Sequence, residues 1–281
     1  MVSHSSYIID PVTYKTKSIF NYTGVLKMKN KKPTGQIIYQ GPSKLDGAPI
    51  VVIAITRSTN SKTGDMVQTY ILKNNGERPT VNQQTGADFS ICGDCKQRPF
   101  NGGACYVVTA QGPSMVYKSF LNGNYTDTGG LLEASKLCTG RMVRLGTYGD
   151  PAAVPFMVWE ELIKNAKGHT GYTHQWRSIN TRQLKNQVNF LKTHCMASVD
   201  NQAEYLVAKN HGWRTFRVRL STDPLNKKES ICPASIEAGK KLTCVDCGAC
   251  NGGQKRHGDI AIINHGFKSK RYEIQRELIP A

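Results

Sequence analysis

Strand-like and helix-like segments alternate regularly through the middle of the chain, and this pattern most limits the folds open to it. The strand-like runs and the amphipathic segments between them are 142–148, 155–166, 170–176, 181–192, 195–200, 202–210 and 215–220. Such alternation indicates βαβ units and a parallel sheet or barrel. One more buried strand is predicted at 259–264. These strands are too few for a full eight-fold barrel, so we expect an α/β fold built as a partial or irregular TIM-like βα barrel.

A β-hairpin is predicted ahead of this alternation. Residues 49–56 and 66–73 are β-branched apolar runs, joined by a turn rich in Ser, Asn, Lys and Gly. Residues 1–47 are polar and, apart from a short strand at 36–39, show no convincing periodicity. We therefore predict a basic N-terminal arm over residues 1–47 and a single α/β metal-binding domain over residues 48–281.

Seven of the nine cysteines fall in two segments, 92–105 and 232–250. No apolar run resembles a signal peptide or could span a bilayer, so we expect no membrane contact and a cytoplasmic location, in the host cell if the protein is viral. In a reducing compartment, closely spaced cysteines are more often metal ligands or redox thiols than disulfides. The predicted metal ligands are Cys92, Cys95, Cys105, Cys232, Cys244, Cys247 and Cys250.

The spacing of the later cysteines bears on the kind of metal. Cys244, Cys247 and Cys250 form a CxxCxxC run, which lets three thiolates reach three corners of one 4Fe-4S cluster, as in bacterial ferredoxins. With Cys232 the same residues could also bind zinc tetrahedrally. An iron–sulfur cluster is favoured, because structural zinc sites usually use two separated CxxC pairs; zinc and free redox thiols remain as alternatives.

The earlier group offers only three thiols, which would leave one iron of a four-iron cluster open to substrate or S-adenosylmethionine. These cysteines either form a site of their own or join the later four. Cys138 and Cys195 have no ligand-like neighbours in the sequence, so we expect them to pack in the core.

Polar residues near the carboxyl ends of the predicted strands are further candidates, because in βα barrels this edge forms the site. The predicted catalytic residues are Asp150, His174 and Arg217, and the predicted cofactor-binding residues are Arg144, Asp200 and His265. Three of them have a simpler reading: Asp150 could cap a helix, His174 could be a buried hydrogen-bonded side chain, and Arg217 could be ordinary surface charge. Arg217 and Arg219 share one strand face, and if that face looks inward the pair could bind phosphate or carboxylate.

The charge balance points to a polyanionic partner. The chain carries a net charge of +17, with a pI near 9.5. A positive field of this size favours nucleic acid, then an anionic membrane or an acidic partner. A generally basic protein with a solvated surface is the alternative.

Several motifs together resemble the phage "gene product 88" family. They are CxxC…ACYV, VRLGTYGDPAAVPFMVWEEL, GYTHQW and CPAS…CxxCGxC, spread over residues 92–265. This resemblance implies a TIM-barrel-like fold with bound iron–sulfur in a viral or mobile-element protein, with a layout similar to radical-SAM barrels. The CxxxCxxC motif of radical-SAM enzymes is absent, since two and nine residues separate Cys92, Cys95 and Cys105.

Two functions are therefore predicted. The first is an iron–sulfur enzyme with a radical-SAM-like barrel, acting on a nucleic acid or a nucleotide-like anion. The alternative is a non-enzymatic, metal-stapled nucleic-acid-binding protein of phage replication or host takeover. A zinc hydrolase is disfavoured because the chain has no HExxH motif.

Overall fold

One β-sheet runs through the computed structural model, which describes residues 34–58, 60–180, 184–239, 242–253 and 258–278. Ten strands of these residues belong to it, in the spatial order β4-β1-β2-β3-β5-β6-β7-β8-β10-β9. They are β1 (Gly35–Pro42), β2 (Pro49–Ile55), β3 (Val67–Lys73), β4 (Thr126–Asp127), β5 (Met142–Tyr148), β6 (Gly168–Thr173), β7 (Met196–Val199), β8 (Thr215–Arg219), β9 (Glu229–Ile231) and β10 (Asp259–Ile263).

The described helices lie mostly between the strands. They are α1 (Pro79–Thr85), α2 (Phe89–Cys92), α3 (Gly112–Leu121), α4 (Leu131–Leu137), α5 (Phe156–Ile163), α6 (Lys185–His194), α7 (Gln202–Asn210), α8 (Cys244–Cys247) and α9 (Ser269–Leu278). The protein is thus a mixed α/β fold, as the alternating pattern predicted. No helix in the described ranges is both long and apolar enough to cross a membrane.

The sheet is almost entirely parallel. β2 pairs antiparallel with both β1 and β3, and every other pairing is parallel. The predicted hairpin is therefore confirmed as β2 and β3, and its second strand continues into the parallel region through β5. Most of the predicted arm lies outside the described residues, but its segment Gly35–Pro42 is β1, which pairs with β2.

The predicted barrel is not confirmed, because the described strands do not form a closed barrel. Within the described residues the sheet ends at two edge strands, β4 and β9, which do not pair with each other. The run β5-β6-β7-β8 nevertheless follows chain order, with α5, α6 and α7 in the crossovers. Since such crossovers are right-handed, this order places all three helices on one face of the sheet.

The two faces of the parallel region are packed differently. On the helix face, Trp159, Leu162 and Leu191 join the main hydrophobic core with strand residues such as Leu145 and Val199. On the opposite face, which none of these crossover helices covers, side chains of β6, β7, β8 and β10 form a separate cluster with the late cysteine segment. Its members are Met196, Cys232, Ala249, Cys250, Ile260 and Ile262, packed by Tyr172, Phe216, Val218, Ala234 and Cys247.

Most predicted elements in the alternating region appear within a few residues of their predicted bounds. The strand predicted at 170–176 is shifted: it runs over Gly168–Thr173, and a 3-10 turn follows at Gln175–Asn180. The edge strand β9 and the helices α1 and α9 were not predicted. Their sequences are short or strongly charged, so they carry little periodic signal.

Candidate metal centre

The late cysteines lie on the face of the sheet opposite the crossover helices α5, α6 and α7. We name them the cysteine quartet: Cys232, Cys244, Cys247 and Cys250. Backbone hydrogen bonds fix the segments that carry them. Cys232 N–H donates to Ala261 of β10 at 2.8 Å, Cys244 N–H donates to Lys62 at 3.0 Å, and the carbonyl of Cys250 accepts from Gly171 of β6 at 3.0 Å. These contacts join the hairpin loop, the centre of the sheet and its far edge around one group of thiols.

The CxxCG turn within the quartet is built by local capping. Thr243 precedes the one-turn helix α8 and forms a capping box with Asp246. Gly248 ends the helix in the left-handed conformation, with φ of +59°, a position that favours glycine. The turn holds Cys244 and Cys247 one helical turn apart on a short, tightly capped segment.

The quartet thiols are close enough to affect one another electrostatically. The pKa of Cys250 is raised to about 12: burial is the largest cause, the charges of Cys232, Cys244 and Cys247 act in the same direction, and a hydrogen bond from Tyr172 opposes them. The pKa values of Cys232 and Cys244 are also raised, first by burial. The raised pKa values of these three thiols mean that they would release protons on binding a cationic centre.

Two basic side chains partly offset the effect of burial on the pKa values of these thiols. Arg144 and Lys62 both lower the pKa of Cys244, and Lys62 also lowers that of Cys232. The Arg144 guanidinium lies 5.0 Å from the centre of the Tyr172 ring, and Tyr172 packs in turn on Phe216, with ring centres 4.6 Å apart. Arg144, predicted to bind a cofactor, therefore does lie beside the quartet.

The first cysteine group, Cys92, Cys95 and Cys105, is named the cysteine trio. Its loop folds back on itself because Cys105 N–H donates to the carbonyl of Gln97 at 2.8 Å. Gly103 makes this return possible: a Cβ at that position would lie 2.3 Å from the backbone of Gln97. The three thiols are close enough to interact electrostatically, and burial is the largest cause of their raised pKa values.

The trio lies at the carboxyl edge of the parallel strands. Asp150, directly after β5, donates its N–H to Ile91 at 2.6 Å. Gln175, just beyond β6, donates from its side chain to the carbonyl of Cys92 at 3.1 Å. This edge is where open α/β sheets bind ligands.

Three of the seven thiols share a second feature. The backbone amides of Gln97, Val107 and Ala234 each lie two residues after a cysteine and lower the pKa of Cys95, Cys105 and Cys232 through a hydrogen bond to sulfur. Hydrogen bonds of this kind stabilise thiolates and tune the metal centres that they hold.

The thiols are grouped without converging on a single point. In the described ranges, no three Cys, His, Asp or Glu side chains are placed so that one metal ion could bind to all of them. All nine cysteines lie in those ranges, and none forms a disulfide. Cys138 and Cys195 are fully buried in the main core, as expected of cysteines with a packing role.

The structure joins Asp150 to the backbone of His174, just beyond the end of β6. The carboxylate of Asp150 accepts from the hydroxyl of Thr173 at 2.8 Å and from the backbone N–H of His174 at 2.7 Å. It also accepts from Ala152 N–H at 3.0 Å and so caps the turn at Pro151–Ala153. The simpler reading of Asp150 as a cap therefore holds together with its position at the site edge.

Arg217 is placed apart from these residues. It projects to the helix face, is 2% exposed, and donates two hydrogen bonds to Glu229 on β9, at 2.8 and 2.6 Å. Arg219 pairs with Glu237. Both guanidinium groups are thus bound within the protein, and neither lies at the open end of a site.

Two remaining predicted residues lie at the carboxyl edge. Asp200 directly follows β7 and is buried. His265, after β10, is exposed, with Nε2 2.9 Å from Nζ of Lys62 and its ring centre 5.1 Å from that of Tyr106. Because Tyr106 follows Cys105, and Lys62 neighbours the quartet, this contact lies between the two cysteine groups.

Sequence reasoning missed Lys62 and Tyr172 as neighbours of the quartet. Lys62 lies in a polar hairpin turn, and only the hydrogen bonds of Cys244 and Val245 to residues 62 and 63 bring it there. Tyr172 forms a hydrogen bond with Cys250, and nothing in the sequence paired these two residues.

No family model, no curated protein and no solved structure matches this chain.

Proposed function

We propose that this protein is an iron–sulfur protein, with one 4Fe-4S cluster on the cysteine quartet and a second cluster on the cysteine trio. The observation that carries the proposal is the placing of all four thiols of residues 232–250 on the one face of the parallel sheet that no crossover helix covers. An apolar and aromatic wall with two basic side chains surrounds them. A packing role alone gives no reason to collect four thiols there.

The spacing of the thiols favours a cluster over a single zinc ion. Tetrahedral zinc needs four ligands around one point, whereas a cubane cluster distributes its thiolates over separate iron atoms. The described cysteines affect one another electrostatically but do not surround one ion position. This arrangement suits the larger centre.

The chain order of β5 to β8, with all crossover helices on one face, supports a partial radical-SAM-like βα barrel as the finer description of the fold. When bound, a cluster would supply one-electron transfer. Lys62 and Arg144 would offset its negative charge, and Tyr172 would hydrogen-bond its thiolate. S-adenosylmethionine as a ligand stays a prediction from the sequence, as does a phage origin.

Anaerobic purification tests the proposal. We expect a brown protein that contains iron and acid-labile sulfide, and we expect the double variant Cys244→Ser/Cys247→Ser to lose the quartet's share of both. Cys138→Ala removes a thiol from the core and should keep the full iron content. A colourless protein with stoichiometric zinc that depends on the same cysteines would contradict the cluster.

We further propose that the protein acts on a nucleic acid or a nucleotide-like anion, because its net charge is +17. Binding to a DNA or RNA duplex should weaken steeply with salt, since each neutralised phosphate releases counterions. Titrations at several salt concentrations would measure this slope. An affinity that is independent of salt would remove the polyanion proposal and leave the metal proposal intact.

A further inference from the structure

Three carboxylates border the cysteine trio. They belong to Asp88, Asp150 and Asp200, and the charge of each raises the pKa of at least one trio thiol. The trio offers three thiolates, and a four-iron cluster has four irons to coordinate. One of these carboxylates could bind the fourth iron if its oxygen atoms are not already engaged within the protein.

Two of the three are already bound within the protein. Asp88 accepts two hydrogen bonds from Arg98, at 3.0 Å from Nε and 2.6 Å from Nη2, and this pair is buried. Asp150 accepts through both oxygens from Ala152, Thr173 and His174. Recruiting Asp150 would break these hydrogen bonds and leave donors without partners. Asp88 binds Arg98 through Oδ1, and recruiting it would draw its charge away from a buried ion partner.

Asp200 differs in this respect. The residue is 6% exposed, and its Oδ2 is buried with no hydrogen-bond partner among the residues that the structure describes. Its backbone, in contrast, is fully engaged: the N–H donates to Glu204 at 2.9 Å, and the carbonyl accepts from the Tyr272 hydroxyl at 2.8 Å. A buried carboxylate oxygen without a partner is costly and calls for a functional explanation.

The position of Asp200 brings it to the trio. It lies at the carboxyl end of β7, and the loop that carries Cys95 is fastened beside it by an ion pair of 2.8 Å between Lys96 and Glu204. Gln97, two residues after Cys95, lines a small cavity of about 20 Å³ together with Asp200 and Tyr272. The rigid backbone of Asp200 thus holds an unpartnered carboxylate beside the thiolate loop.

We propose that Asp200 is the fourth protein ligand of the centre on Cys92, Cys95 and Cys105. Its carboxylate takes the place of the missing thiolate on the fourth iron, so that this iron is held by an oxygen ligand. This inference rests on the proposed iron–sulfur function. It makes the trio a complete four-ligand site and not a part of the quartet.

Asp200→Ala and Asp200→Cys test the assignment in the full chain, purified without oxygen. We expect Asp200→Ala to lose one iron per trio cluster on mild oxidation, which a three-iron electron paramagnetic resonance signal reports. Asp200→Cys should resist this loss and change the signal of the reduced cluster. Asp94→Ala, an exposed carboxylate between Cys92 and Cys95, is the matched control and should behave like the parent.

The double variant Cys92→Ala/Cys95→Ala supplies the spectrum of the quartet alone, which is subtracted. Asp200→Asn, with nearly unchanged shape, replaces the alanine variant if the latter fails to fold. If the parent holds iron in the trio and the alanine, asparagine and cysteine variants all keep its spectrum and oxidation rate, the ligand assignment is wrong and the iron–sulfur function stands. A parent without iron removes both.

Discussion

Replacing Glu229 with alanine should destabilise the protein by about 3–5 kcal/mol, the usual cost of leaving one member of a buried ion pair without its partner. Glu229 is fully buried and binds Arg217 through two hydrogen bonds. Arg217 lies on β8 and Glu229 on the edge strand β9, so the pair bridges β10, which lies between them. Without the carboxylate the guanidinium keeps only the carbonyl of Pro224, at 2.7 Å. Chemical unfolding at neutral pH would measure the loss.

Two controls separate a buried charge from a lost contact. Glu133→Ala removes the exposed pair with Lys136 and should cost less than about 0.5 kcal/mol. The double variant Arg217→Met/Glu229→Leu removes both charges and should recover most of the stability. If Glu229→Ala is as mild as Glu133→Ala, the buried pair contributes little to the fold.

The Arg217–Glu229 pair stabilises the protein only over a defined pH range. Burial alone would raise the pKa of Glu229, but the hydrogen bonds from Arg217 and Asn226 outweigh it, and the pKa is lowered. A carboxyl whose pKa is lowered on folding stabilises the protein above the pKa of the unfolded chain. Its contribution is therefore present at neutral pH and is lost as the pH falls through the pKa of folded Glu229.

Arg217 also shows where sequence reasoning reached its limit. The alternation of charged and apolar residues in β8 correctly placed Arg217 and Arg219 on one face of the strand. It did not show which face the crossover helices would cover. Because α5, α6 and α7 cover the face of Arg217, this arginine is buried with Glu229, a residue of a three-residue strand that has almost no periodic signal.

The cysteine groups could be predicted more fully because their evidence is local. The CxxCxxC and CxxC spacings do not depend on how the rest of the chain folds, and the capping residues around Cys244 are close to it in sequence. What the spacing could not show is long-range: the approach of Lys62 and Tyr172 to the quartet, and the open edges of a sheet that was expected to curve into a barrel. Both depend on strand pairings that no motif encodes.

Replacing Asp150 with alanine should lower the free energy of unfolding by about 3 kcal/mol. It should also weaken iron binding at the cysteine trio more than at the quartet. The carboxylate satisfies Ala152, Thr173 and His174 and so joins the ends of β5 and β6. Its removal leaves two buried donors and one partly buried donor without this acceptor, and an unpartnered buried donor is costly. Part of this loss is offset because burial raises the pKa of Asp150, which means that the folded protein already holds its ionised form at some expense.

The same contacts explain why the proposed cluster on the trio should lose iron in this variant. Asp150 also fastens the trio loop through its backbone N–H, which donates to Ile91 at 2.6 Å. Once the β5 end is loosened, Cys92 and Cys95 lose part of their fixed position, whereas the quartet is anchored to Lys62, Gly171 and Ala261 and is not affected. Unfolding measurements and iron analysis of Asp150→Ala beside Asp94→Ala would check both effects. An equal loss of iron from trio and quartet would show that Asp150 supports the whole fold and not this edge of it.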